Sequence, residues 1–271
     1  MFKRKVNITR IKKENKENIE DIILYESPID LYVNSEQLVN IICLPKDLKE
    51  LAIGFLFSIG IINSIIDIKE IVINELEHSI SVNLKDNIEF NTEQLEINPV
   101  SRVVDTTCGI SSPWRNTIKR SLEKINIKES LKTKSDIKIK SNMIFSALKK
   151  MQTSTPLYRE TGGCHGAAIF DINGYLLSVK EDIGRHNAID KVIGDLLLKG
   201  HNFENIFLTS TGRLTGDSVL KAIRAKIPIV VSISAAVESG IRLAFAYGIT
   251  LIGFARGSRM NIYTHPYRIE I

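Results

Sequence analysis

Residues 205–255 read NIFLTSTGRLTGDSVLKAIRAKIPIVVSISAAVESGIRLAFAYGITLIGFA, and this stretch decides the fold. Three short apolar runs, Asn205–Ser210, Pro228–Ser234 and Ile249–Ala255, alternate with two helical segments. The helices run from about Asp217 to Lys226 and from about Ala235 to Tyr247, where Gly248 stops the second. Strand, helix, strand, helix, strand implies right-handed crossovers, three parallel strands and a largely parallel sheet. Parallel strands end together, and open α/β sheets bind ligands at that carboxyl edge. The segments leaving it are Thr209–Arg213, Ser234–Ala236 and Ala255–Arg259. Arg213, Arg256 and Arg259 stand there among Gly and hydroxyl residues. Guanidinium forks, open backbone N–H groups and nearby helix starts suit a phosphate. Any one of these Arg could be an ordinary surface charge; three at one edge favour an anion.

Working outward, residues 165–182, HGAAIFDINGYLLSVKED, read as two strands around Asn173-Gly174, a pair that fits a type I′ hairpin at one side of the sheet. Residues 187–200 form a helix with Ile189, Val192, Ile193, Leu196 and Leu197 on one face and Gly200 as its stop. Between hairpin and helix, Glu181-Asp182-Ile183-Gly184-Arg185-His186-Asn187 packs acid, base and amide into one turn. A helix cap needs one such residue. Five make Asp182, Arg185 and His186 site candidates. Cys164 and His165 adjoin in the segment TGGCHG, but neighbours in extended backbone point to opposite faces, which argues against a Cys–His dyad. With no C-x-x-C or H-E-x-x-H spacing, no metal site is expected.

Upstream, residues 21–34 and 37–45 read as short strands, followed by a helix whose Leu48, Leu51, Ala52, Phe55, Leu56 and Ile59 share a face. Pro45 and Asp47 mark its start and Gly60 its end. Residues 68–74 and 78–84 alternate as strands, giving a smaller α+β unit. Three units follow: 1–114, ending in a polar loop; 115–150, a basic linker and a helix over about 141–151; and 151–271, the α/β domain. Of 16 Gly, 13 lie after residue 151, which places the ligand site in the second half.

The chain of 271 residues carries 36 Lys and Arg against 31 Asp and Glu, a net +5 and a pI near 9.0. That balance invites nucleic acid. Residues 115–150, however, hold 11 basic and 3 acidic residues, so the excess belongs to one segment and the remainder is mildly acidic. That segment lacks interleaved aromatics apart from Trp114 and Phe145, so neither a nucleic-acid partner nor a membrane is expected. Three Cys are too few for a disulfide scaffold, no apolar stretch approaches a spanning length, and a reduced, cytoplasmic protein is the expectation. Cys43 reads as core. Cys108, in the polar loop Thr106-Thr107-Cys108-Gly109-Ile110-Ser111, is the best candidate nucleophile.

Four ordered strings, TGGCHGAAIF, EDIGRHNAIDKVIG, STGRLTGDSVLKA and SISAAVESGIRLAFAYGITLIGFARGSRMNIYTHPYRI, together with ESPIDLYVN and LPKDLKELAIGFLFSIGII, resemble the FdhD/NarQ family of formate dehydrogenase accessory proteins over nearly the whole chain. The resemblance implies a layered α/β fold of the cytidine deaminase type without its zinc. It implies a sulfur carrier that takes persulfide sulfur from a cysteine desulfurase and passes it to the molybdenum or tungsten bis-guanine-dinucleotide cofactor of formate dehydrogenase. Cys108 inherits the persulfide role. The family's loop is C-G-x-C, and here Ser111 takes the place of the second Cys. Phe254, Ala255, Arg256, Gly257, Ser258 and Arg259 match the family's cofactor-contacting segment; Arg213, His165, Asp182, Arg185 and His186 join them as cofactor-binding candidates. A homodimer is expected, since cofactors of this size are often shared across a two-fold. Two alternatives stay open: a cofactor-binding chaperone without relay, because of Ser111, and a nucleotide-modifying enzyme, which would need zinc or a catalytic carboxylate near His165.

Overall fold

The computed structural model describes residues 2–88, the backbone of 103–104, and residues 131–133, 135–203 and 205–271. The Cys108 loop, with Ser111, and the basic stretch up to residue 130 lie outside the described residues.

The chain opens with two long strands, β1 (Lys3–Lys12) and β2 (Asn15–Leu24), paired from Lys3↔Leu24 to Lys12↔Asn15 as a sheet of their own. This hairpin went unread in the sequence, where its many charges masked the alternation. Then come β3 (Ser27–Val33), β4 (Glu36–Cys43), helix α1 (Leu48–Ile59), β5 (Ile68–Asn74), β6 (Ser79–Leu84) and the short β7 (Val103–Val104). They form a five-stranded sheet in the order β5-β6-β3-β4-β7. Along β3 burial alternates, with Ile29, Leu31 and Val33 inward and Pro28, Asp30 and Tyr32 outward, as a sheet covered on one face requires.

The second half runs β8 (Ile139–Lys140), α2 (Ser141–Thr153), α3 (Pro156–Thr161), β9 (His165–Asp171), β10 (Leu176–Asp182), α4 (Arg185–Leu198), β11 (Ile206–Ser210), α5 (Gly216–Arg224), β12 (Ile229–Ser232), α6 (Glu238–Tyr247), β13 (Thr250–Arg256), β14 (Arg259–Ile262) and β15 (Ile269–Glu270). Six strands form one mixed sheet, β10-β9-β11-β12-β13-β14. The β11, β12 and β13 strands are parallel, as their helical crossovers demand. The other three pairings are antiparallel, so the sheet is mixed, as the expected hairpin at its side requires, but parallel pairs are its minority. The turn after β9 also differs from expectation: only Gly174 has positive φ, and the Asp171 carboxylate accepts from the N–H groups of Asn173 and Tyr175, which a type I′ turn does not use.

Side chains alternate across this sheet. Ala167, Ile169, Leu208 and Val230 face α1, α4 and α5, whereas Ala168, Phe170, Phe207 and Val231 face α2. Helix α2 therefore belongs to the second half's outer layer, and the segment read as linker ends before it. The first apolar core is continuous from β3 and β6 through α1 and α4 to β11 and β13, so the two halves share one interior.

The α1–α4 contact is unusually close because each helix carries a glycine at the crossing. A Cβ on Gly54 would lie 1.8 Å from the Asp190 carbonyl oxygen, and one on Gly194 would lie 2.0 Å from that of Glu50. Both obstacles are backbone, so the helices would have to part. Gly194→Ala is expected to cost roughly 3 kcal/mol in urea unfolding despite alanine's better helix propensity. An unchanged unfolding midpoint would refute the close crossing.

Candidate functional site

The carboxyl ends of β11, β12 and β13 are stitched together by backbone. Leu214 N–H donates to Ala235 O, Val237 N–H to Leu214 O, and Phe254 N–H to Ser234 O. The Ser232 hydroxyl donates to Gly212 O at 2.6 Å. Residues 235–237 are spent on this stitching, which is why α6 begins at Glu238, three residues later than the sequence pattern predicts. Because β9 is antiparallel to β11, its first residue, His165, joins the same edge. The His165 Nδ1 lies 3.0 Å from the Thr211 hydroxyl, which also accepts from Gly166 N–H.

Cations surround this imidazole. Burial lowers the pKa of His165, and the Arg185 and Arg213 guanidiniums lower it further against the opposing pull of Asp182. Arg185 is buried at the first turn of α4 and runs beneath Gly212, where an added Cβ would meet Arg185 Cβ at 2.7 Å. Arg213 is exposed above it. On the far side, the β13–β14 hairpin carries Arg256, Gly257, Ser258 and Arg259 on an exposed tip, with Arg256 and Arg259 opposite each other. The pairing register shifts between Gly253 and Arg256, and Phe254 adopts φ 51°, a left-handed conformation that an aromatic residue rarely takes. The Arg256 guanidinium lies 5.7 Å over the Phe254 ring.

The structure thus brings His165, Arg185, Arg213, Phe254 and the tip residues to one edge, with Ala255 buried beneath. It separates two candidates from them. Asp182 is fully buried, and its carboxylate accepts from Lys191 at 2.6 Å, Leu44 N–H at 3.1 Å, Gly184 N–H at 2.8 Å and the Asn187 amide at 3.0 Å. With four internal donors it is a clasp between the end of β4 and the start of α4, out of a ligand's reach. His186 is buried too, its Nδ1 3.4 Å from the Ser218 hydroxyl at the α4–α5 contact. Sequence reasoning missed Lys191, which also donates to Leu44 O at 3.0 Å. The sequence signal was slight: Asp190 and Lys191 stand between Ala188-Ile189 and Val192-Ile193 in a helix that the fold buries nearly all round, and buried charges are paired.

The thiols separate in the same way. Cys164 is 4% exposed, and burial and the nearby Glu181 carboxylate push it up to about 12. Burial raises Cys43 still more strongly. Neither forms a thiolate readily. Strand β7 pairs in parallel with β4 (Asn40↔Val103, Ile41↔Val104), and the next residues of β4 are those held by the Asp182 clasp. Strand β7 therefore ends beside the anchored end of β4. Among the described residues no group of three or more His, Cys, Asp or Glu is placed to hold a metal, and no helix is long and apolar enough to cross a membrane.

A model of the FdhD/NarQ family matches residues 24–270. The chain belongs to the FdhD/NarQ family. The sulfur carrier protein FdhD of Sulfolobus acidocaldarius is 36% identical over 99% of both chains, and that of Bacillus subtilis is 34% identical over 93% of this chain and 92% of its own. A formate dehydrogenase accessory protein from Desulfotalea psychrophila, known as a crystal structure, is 29% identical with a TM-score of 0.76 over the full length of both chains. The hairpin β1–β2 lies almost wholly ahead of the segment that the FdhD/NarQ model matches.

Proposed function

We propose that this FdhD/NarQ protein is a sulfur carrier for formate dehydrogenase maturation. It takes sulfane sulfur from a cysteine desulfurase onto Cys108 and hands it to a molybdenum or tungsten bis-guanine-dinucleotide cofactor seated on the cationic edge. The observation that carries this reading is the convergence of His165, Arg185, Arg213 and the Arg256–Arg259 tip at one sheet edge. The residues fit a guanine dinucleotide. Arg213, Arg256 and Arg259 are open to a diphosphate, Gly257 presents backbone with no side chain and positive φ, and the aromatic Phe254 lies under the same tip. A cytoplasmic location and a two-fold dimer belong to the same reading; two buried free thiols support the first. A layered frame of the cytidine deaminase type is part of it as well, supported by helices on both faces of the mixed sheet.

In the loading step the Cys108 thiolate attacks the outer sulfur of the donor persulfide. A new S–S bond forms on Cys108, the donor's S–S bond breaks, and the donor leaves as a thiol, so no net oxidant is needed. The experiment is mass spectrometry after incubation with a desulfurase and cysteine, together with guanosine diphosphate binding by calorimetry. Cys108 should gain the mass of one sulfur atom. Arg213→Ala should weaken the nucleotide about tenfold, the worth of one charge-assisted contact. A bare Cys108 would leave the chaperone alternative, and absence of both results would overturn the reading.

The lowered pKa of His165 sets a pH dependence. A bound diphosphate neutralises the two arginines and raises that pKa, so binding takes up a proton. Affinity for guanosine diphosphate should rise as pH falls toward the lowered imidazole pKa of the free site, below the usual 6.5. His165→Gln should flatten the slope. Without ligand the sign is opposite: the depressed folded pKa makes His165 favour folding above about 6.5, a contribution lost as pH falls through the folded value.

A further inference from the structure

The β1–β2 hairpin has no place in the sulfur chemistry, yet its root sits beside the site. Phe2 and Leu24 pack with Tyr158 and Ile183 around Leu44, Leu157 and Cys164. Lys3 pairs with Glu160, and Leu24 lies against Gly163, two residues before His165. Beyond this root the arm leaves the body. Residues 9–18 are all exposed, and Ile11 and Ile23 are 73% and 43% exposed. A two-stranded hairpin is marginal alone in water, and both of its outer edges are free of any strand partner among the described residues.

Its charge is polarised. Strand β1 carries Lys3, Arg4, Lys5, Arg10 and Lys12 and no acid, whereas β2 carries Glu17, Glu20 and Asp21 with one Lys. Cross-strand pairs Lys5–Glu20 and Arg10–Asp21 hold the two strands together. Two copies meeting through their β1 edges would set cations against cations, which disfavours self-pairing. One face of β1 presents Arg4, Val6, Ile8, Arg10 and Lys12 at alternate positions. The complementary strand has acids at its ends and apolar residues between them, two residues apart.

We propose that the arm is a docking strand: it takes an extended, acidic segment of a protein partner along the outer edge of β1, and so holds that partner beside the His165 edge. Backbone hydrogen bonds supply the affinity and the cations supply the choice of partner. The proposal rests on the function above only for what is exchanged once the partner has docked.

The test uses the full chain and a fluorescent nine-residue peptide with Glu at positions 1, 7 and 9, Val at positions 3 and 5 and Thr at the rest, read by anisotropy at low salt. Saturable binding is expected, weakened about tenfold or more by Lys in place of Glu, by N-methylation of the amides along one edge, and by the arm variant Arg4→Glu/Arg10→Glu/Lys12→Glu. No binding to the wild-type chain would overturn the proposal. So would undiminished binding of the N-methylated peptide, which would mean charge attraction without a strand, or undiminished binding to the arm variant. A dimer that dissociates in the arm variant by sedimentation would assign the edge to a second copy and overturn it as well. Guanosine diphosphate affinity and the urea unfolding midpoint should be unchanged in that variant, which shows it folded. If instead guanosine diphosphate binding and sulfur loading of Cys108 fail in the wild-type chain while the peptide still docks, the sulfur-carrier reading falls and the arm proposal stands.

Discussion

Cys108→Ala is expected to abolish formate dehydrogenase maturation while leaving the fold and guanosine diphosphate affinity intact. Loss should be complete, because no other thiol can substitute. Cys164 is the nearest alternative to the cationic edge, but it is buried in an apolar cluster with Leu44 and Leu157, and its pKa is pushed up to about 12. Cys43 lies in the main core and is raised further. A protonated, water-excluded thiol neither attacks a donor persulfide nor reaches a second protein. Cys164→Ser should therefore retain sulfur loading, checked by mass spectrometry of the variant beside Cys108→Ala. Sulfur on Cys164 in the Cys108→Ala protein, or maturation by that protein, would overturn the assignment. Where the resemblance implies a second loop Cys this chain has Ser111, so the proposed relay would work with one thiol in that motif.

Asp182→Ala should cost about 3–5 kcal/mol of stability, the usual loss when one partner of a buried ion pair is removed. The substitution leaves the Lys191 ammonium buried at zero exposure and strips acceptors from Leu44 N–H, Gly184 N–H and the Asn187 amide. Denaturant unfolding reads the cost. The contrast with Arg213 separates structure from binding. Arg213 is exposed and should lose ligand affinity without loss of stability, whereas Asp182→Ala should lose stability first. If Asp182→Ala folds as stably as the parent chain but fails to bind guanosine diphosphate, the sequence-based placement of Asp182 in the ligand site is right and the clasp is not.

The arm and the clasp mark where local pattern stopped being informative. In β1 and β2, charges fill both faces, so the two-residue alternation that signals a strand is diluted, and only cross-strand pairing makes the hairpin evident. In Glu181–Asn187, polar density pointed to a site, but polar residues also gather wherever two parts of a chain are bolted together by buried hydrogen bonds. The sequence held one further clue. Asp190 and Lys191 stand between the apolar pairs Ala188-Ile189 and Val192-Ile193 of α4, and Asp190 pairs with Lys221 of α5 at 2.6 Å. Partners so far apart in sequence cannot be matched without the fold.

What the chain's own pattern determines is periodic and local: the alternation of strands and helices after residue 200, the parallel core of the sheet, and the edge at which Arg213, Arg256 and Arg259 stand. Those follow from side-chain spacing and backbone preference, which act over a few residues. Which polar groups are buried was decided only by the tertiary structure. Asp182 and His186 went inside, Arg185 slid beneath Gly212, two glycines brought α1 and α4 into backbone contact, and Cys164 lost its reactivity. The physical reason is that desolvation depends on neighbours far away in sequence. The same carboxylate or thiol is a ligand or a strut according to what packs over it.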